Sequence, residues 1–266
     1  MRFPFIERIF VRALAGSGCA TQRSAFIGPA TSGHSLQLRM ALTAVLTLFL
    51  SLGWAAEEFS PAERALFMKD HLGSIRAPTT LLYSFRKSGS LEDSFDDKVS
   101  VALTATDKTR CCTAATEFLG GDRRVKLPEI ESPLGNPVIL HFLERDIREM
   151  QRLTKGQPNY FRKRIRLAVF QGAKITEIKV PYSGSMITAQ QIVITPYTDD
   201  PLRPRYEKFA DKQYAFTLSQ DVPGGVYAIR ALVQGELPGG PPLLLDEMVF
   251  DGTGAARRAI KETPKR

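Results

Sequence analysis

The chain has 266 residues, 43% of them hydrophobic and 24% charged, which is enough apolar content to bury a core, so disorder is not the default expectation. Its formal charge of +8 sits at the two ends: residues 1–55 carry five Arg against Glu7, residues 252–266 carry five basic residues against Glu262, and residues 56–251 balance to zero. A neutral body with basic ends lacks the clustered positive face of a nucleic-acid-binding domain, so nucleic acid is not expected as a partner.

Residues 1–35 show no sustained hydrophobic period and no strand–turn grammar. They are expected to be unstructured or to precede the true start, near Leu36, Leu38 or Met40. Residues 36–55 have the anatomy of a secretory signal peptide. Arg39 precedes an uncharged run at 41–52, and Gly53 and Ala55 supply the small residues needed for cleavage after Ala55. The run is short for a bilayer span, so no stable transmembrane segment is expected after cleavage. The expected location is the periplasm, with an uncleaved anchor through residues 41–52 as the alternative. Cys19 in "AGSGC" imitates a lipoprotein box loosely, because Gly16 stands where Leu is wanted.

Residues 56–251 read as a single α+β domain: a curved antiparallel sheet of roughly 8–10 strands with two or three helices packed against it. "SPAERALFMKDHLG" predicts a helix capped by Ser60, opened by Pro61, closed into a capping box by Glu63 and stopped at Gly73. "TTLLYSFRK" and "DKVSVALTAT" alternate apolar and polar residues as strands do, and "CCTAATEFLGGDRRVKL" predicts two strands around Gly120 and Gly121. "NPVILHFLERDIREMQRLTKG" predicts the longest helix, capped by Asn136, with Ile139, Leu143, Ile147, Met150 and Leu153 as its buried stripe. Glu144 and Arg148, and Arg145 and Glu149, are spaced to pair on its wet face.

"NYFRKRIRLAVF" follows at 159–170. At period two, Phe161, Ile165, Leu167 and Val169 share one face while Tyr160, Arg162, Arg164 and Arg166 share the other, which predicts a half-buried strand with an arginine ladder. That ladder is either a solvated face paired with neighbouring acids or a face for an anion or an acidic partner. Five further strands are predicted in "KITEIKVPY", "MITAQQIVITPY", "KQYAFTLSQ", "GGVYAIRALVQ" and "PLLLDEMVF", with a short helix capped by Asp200 between the second and third. Residues 252–266 read as a basic flexible tail.

Catalytic motifs are sparse. Cys111 and Cys112 are adjacent, so on a strand their side chains diverge and cannot share a metal. A disulfide or a buried thiol pair is expected there, and neither a cofactor nor a metal. His141 is expected to be packed in its helix, and His71 to sit protonated at a helix C-terminus. Asp96–Asp97 and Asp199–Asp200 are expected in loops, as turn and cap residues. No nucleophile elbow, phosphate loop or dinucleotide fingerprint is present in the sequence.

The segments "GNPVILHFLERDIREMQRLTKGQPNYFRKRIRLAV", "VPYSG", "ITPYTDDP" and "FTLSQDVPGGVYAIRA" give the chain a resemblance to a family of exported Gram-negative bacterial proteins without an assigned activity. In architecture alone it also resembles the half-barrels of LolA/LolB-type lipoprotein carriers, with no functional residue carried over. The expected role is non-enzymatic binding of an apolar or amphipathic ligand, or of an envelope protein. The alternatives are an envelope hydrolase with a dispersed active site, and redox or metal handling by Cys111 and Cys112.

Overall fold

Nine antiparallel strands form one open, curved sheet in the order β4-β3-β2-β1-β9-β8-β7-β6-β5. The structure is a computed structural model, and it describes residues 59–105, 112–125, 127–235, 237 and 239–254. The first meander comprises β1 (Thr79–Ser88), β2 (Phe95–Ala105), β3 (Cys112–Phe118) and the two-residue β4 (Ile130–Glu131). The second comprises β5 (Lys174–Tyr182), β6 (Ser185–Ile194), β7 (Gln213–Leu218), β8 (Val226–Val233) and β9 (Leu244–Gly254). β9 pairs with β1 and joins the two meanders into one sheet. The predicted signal peptide, Cys19, Cys111 and residues 255–266 of the basic tail lie outside the described residues, while residues 252–254 at the start of that tail belong to β9. Among the described residues no helix is long and apolar enough to cross a membrane.

Among the described residues, three helical segments longer than the 3-10 turns accompany the sheet. The short α1 (Pro61–Glu63) runs on into a π-helical turn, Arg64–Met68, and Ser60 and Glu63 form the expected capping box. It ends at Lys69, earlier than Gly73 predicts: the Lys69 N–H closes the π turn on the Arg64 carbonyl, and Lys69 itself is already extended. α2 (Pro137–Thr154) and α3 (Pro158–Gln171) then carry the chain from the β4 edge to the β5 edge, α2 packing against β3 and α3 against β6. The turn between them is tight: a Cβ on Gly156 would lie 2.4 Å from Cζ of Phe161, so glycine is needed for the close approach.

α3 corrects the strand reading of "NYFRKRIRLAVF". Its buried residues are Phe161, Ile165 and Val169, while Leu167 is 37% exposed. A spacing of four fits a period of two as well as a period of 3.6, so these three residues satisfied both patterns and only Leu167 separated them. The charges moved too. Arg162 and Arg166 lie one turn apart, and Arg164 turns inward to pair with the fully buried side chain of Asp200 at 2.7 Å. The helix is held by an aromatic cluster, with Phe161 5.7 Å from Tyr197 and 6.1 Å from Tyr206, centroid to centroid.

Smaller differences have local causes. "LGGDRRVKL" makes a 3-10 turn at Gly121–Arg123 and an isolated bridge from Val125 to Phe118 rather than a full strand. The predicted helix after Asp200 is two 3-10 turns, Arg203–Arg205 and Glu207–Phe209, although Asp200 does accept from the Leu202 N–H at 2.7 Å. Asp96 and Asp97 fall within β2, not in a loop.

The core lies between the helices and one sheet face, where Leu81, Tyr83 and Phe85 of β1, Val99, Val101 and Leu103 of β2, and Met248 of β9 are buried. The opposite sheet face is polar at its centre. Asp96, Arg86, Glu247 and Arg230 stand side by side on β2, β1, β9 and β8 with alternating sign, pairing at 2.7 Å (Arg86–Asp96) and 3.1 Å (Arg230–Glu247).

Candidate functional site

Asn136 anchors the start of α2. Its side-chain oxygen accepts from the Val138 N–H at 3.1 Å, and its amide donates to the Tyr83 hydroxyl and the Gly224 carbonyl, each at 2.8 Å. Its backbone N–H donates to Nδ1 of His71 at 3.1 Å, while His71 Nε2 lies 2.9 Å from the Ala65 carbonyl. An accepting Nδ1 and a donating Nε2 define the neutral imidazole, and burial lowers the His71 pKa. The expectation of a protonated His71 at a helix terminus is therefore corrected: the ring is 6% exposed and acts as a neutral bridge between segments.

The expected stripe of α2 is buried at Ile139, Leu143, Ile147 and Met150, but the helix also turns charged residues inward. Asp146, with no exposed side-chain surface, accepts from Lys212 Nζ and from the Tyr214 hydroxyl, each at 2.5 Å. Arg145 pairs with Asp246 of β9 and lies over the Phe85 ring, 4.7 Å from its centroid. Glu149 receives Lys87 Nζ at 2.5 Å and Arg152 at 2.7 Å, and Glu92 takes a second bond from Lys87. The pairs expected along the wet face of α2 do not form, because Glu144 bonds Arg162 of α3 and Arg145 and Glu149 find partners on the sheet.

Burial and pairing compete within this layer. Burial alone would raise the Glu149 carboxyl, but hydrogen bonds from Arg152 and Lys87 outweigh it and hold the group well below the usual carboxylate range. Burial opposes the charge on Lys87 too, and its bonds to Glu149 and Glu92 win, raising its pKa. Asp246 goes the other way: burial raises it, and Arg145 offsets only part of the effect. His141, 2% exposed and without a hydrogen-bond partner on either ring nitrogen, is pushed down to about 4 by burial.

At its outer end the charged layer opens into a cavity of about 470 Å³ between α2 and the β1–β2 end of the sheet. One wall is apolar, made by Phe95, Leu119 and Val125, and the other carries Lys87, Glu92, Arg145, Glu149 and Arg152 of the layer just described, together with Arg148 and Asp93. Arg123 covers the Phe95 ring at 4.5 Å from its centroid and is tied to Asp97 at 3.2 Å. Arg148 is exposed and has no ion-pair partner among the described residues. An apolar wall facing a free guanidinium can take a ligand with an apolar body and an acidic head. A second, smaller cavity of about 290 Å³ lies between Arg76 and Asp221 and has no buried charge in its lining.

Of the residues singled out in the sequence, Arg162, Arg164 and Arg166 share one helix but not one face, and none lines the cavity. Cys112 is buried and disulfide-bonded, while Cys111 lies outside the described residues. Among the described residues no group of three His, Cys, Asp or Glu side chains could hold a metal ion. The residues missed had a signal. Lys87 continues the inward phase of Leu81, Tyr83 and Phe85, Asp246 that of Leu244 and Met248, and Asp146 lies seven residues after Ile139 on the buried stripe of α2. A charge in an inward phase marks a buried pair.

No protein-family model matches the chain, and no curated protein matches it. Among solved structures, it is similar to the Mycobacterium tuberculosis lipoprotein LppX at 11% identity and a TM-score of 0.28, covering 66% of this chain and 86% of that one. It is also similar to a LolA superfamily protein from Nitrosomonas europaea at 12% identity and a TM-score of 0.20, covering 77% of this chain and 97% of that one.

Proposed function

We propose that this is an exported, periplasmic protein of the cell envelope that binds an amphipathic anion without transforming it. The observation that carries the reading is the cavity beside α2, where the apolar wall of Phe95, Leu119 and Val125 faces the unpartnered guanidinium of Arg148. Of the other charges around it, Lys87, Glu92, Arg123, Arg145, Glu149 and Arg152 are held in ion pairs, an arrangement that fixes the shape of a binding site and leaves little freedom for proton transfer, and Asp93 is the one further carboxylate in the lining. A volume of about 470 Å³ suits a medium-length aliphatic carboxylate or a small aromatic sulfonate.

Anilinonaphthalene sulfonate is a suitable probe, since it is both apolar and anionic. The native protein should enhance its fluorescence saturably, and decanoate should displace it more strongly than decanol. Arg148→Glu should weaken binding about tenfold, the loss of one charge-assisted contact. Fluorescence that neither saturates nor responds to Arg148→Glu would place the ligand elsewhere. Turnover of simple esters that survives purification would favour the hydrolase alternative instead.

A further inference from the structure

Strand β5 lies at the edge of the sheet, and no strand among the described residues pairs with its outer side. It spans nine residues, Lys174–Tyr182, roughly 30 Å of backbone. The turn at Ser183 and Gly184, both at positive φ, closes the β5–β6 hairpin on the pair Tyr182–Ser185. In a two-residue hairpin that closing pair exchanges both hydrogen bonds, and the pairs alternate from there. The N–H and C=O groups of Val180, Ile178 and Thr176 are therefore directed to β6, and those of Lys179, Glu177 and Ile175 point outward. Pro181, which has no N–H to offer, falls in the outward set, as an edge strand requires.

We propose that β5 pairs with β5 of a second copy of this chain, antiparallel about a two-fold axis at Ile178. In that register Ile178 stands opposite its own copy, and Glu177 of each chain stands opposite Lys179 of the other. Both are outward-directed residues, so each Glu177–Lys179 pair would also exchange two backbone hydrogen bonds. On the other face of the strand Thr176 meets Val180 on either side of the Ile178 pair. Charge selects this register. Centring the axis on Glu177 or on Lys179 would set like charges directly opposite one another, which is unfavourable.

Lysine and proline on an edge ordinarily discourage strand addition. Here Pro181 lies opposite Ile175, at the end of the paired segment, where it withholds one donor and its carbonyl already accepts from the Tyr227 hydroxyl at 3.0 Å, so the pairing is carried by the Glu177 and Lys179 positions. Lys179 has an acidic residue placed to receive it: Glu177 is exposed and has no partner among the described residues, while Lys179 bonds only Thr188 Oγ1, at 2.5 Å. The interface is isologous, so it closes as a dimer and does not propagate into a fibre. The cavity beside α2 plays no part in it.

Sedimentation equilibrium on the full chain tests this with three variants. The protein should dimerise, and Glu177→Lys alone or Lys179→Glu alone should weaken dimerisation about tenfold or more, since both symmetric pairs become like-charged. An equimolar mixture of those two variants should recover association as a heterodimer, because every opposed pair is then complementary again. The double exchange, Glu177→Lys with Lys179→Glu, should restore the homodimer. A wild-type protein that stays monomeric at the highest concentration reached would overturn the proposal. So would a dimer indifferent to the single exchanges, or a mixture that does not associate.

Discussion

Replacing His141 by Leu should flatten the acid limb of the stability curve. The ring is 2% exposed in α2, both its nitrogens lack hydrogen-bond partners, and burial lowers its pKa to about 4. A folded-state value below the unfolded one means that the folded protein holds the neutral ring. The stability this gives is complete above the unfolded value of 6.5 and is lost as pH falls through about 4. A fall from 6.5 to about 4 corresponds to roughly 3 kcal/mol in total, of which about 2 kcal/mol is lost between pH 7 and pH 5. His71 is lowered in the same direction but is common to both proteins, so the difference between wild type and His141→Leu isolates the one ring. Urea unfolding followed by circular dichroism at pH 7 and pH 5 measures it. Leu is close in volume, and two unpaired nitrogens leave the core, so the variant should match or exceed wild type at pH 7 by about 1 kcal/mol. At pH 5 its advantage should grow by about 2 kcal/mol. Parallel losses in the two proteins between pH 7 and pH 5 would show that His141 is not buried as a neutral ring.

On α3, Ile165→Ala should cost about 2–5 kcal/mol by opening a cavity. Leu167→Ala, at a residue 37% exposed, should cost less than about 1 kcal/mol, and the opposite ranking would restore the strand. Arg164→Gln should cost about 2 kcal/mol or more, because Asp200 loses the ion pair that holds its buried carboxylate; a change near zero by chemical denaturation would contradict the inward position of Arg164. Lys212→Met should cost roughly 3–5 kcal/mol by leaving Asp146 charged and buried, and a neutral result would mean that water reaches the pair. If the proposed export holds, N-terminal sequencing of protein recovered from a periplasmic fraction should begin Ala56-Glu57-Glu58, and recovery of a longer chain there would favour the anchored form.

Most of the sheet was legible because a strand half buried on one face announces itself by alternation. Leu81, Tyr83 and Phe85, Val99, Val101 and Leu103, and the five strands after residue 173 all lie in strands where their period placed them. The start of α2 was equally plain, since Asn136 and Pro137 meet the local demand of unpaired N–H groups at a helix start. Where the apolar spacing was a multiple of both periods, as at Phe161, Ile165 and Val169, local sequence offered two solutions. Tertiary packing against Tyr197 and Tyr206 accompanies the helical one. The candidate site was beyond sequence reasoning for a related cause. Lys87, Arg145, Glu149 and Asp246 are up to 159 positions apart along the chain, and what makes each tolerable in the interior is the opposite charge beside it. Periodicity tells which way a side chain points. Only the fold, by joining β9 to β1 and laying α2 across them, decides what it meets when it gets there.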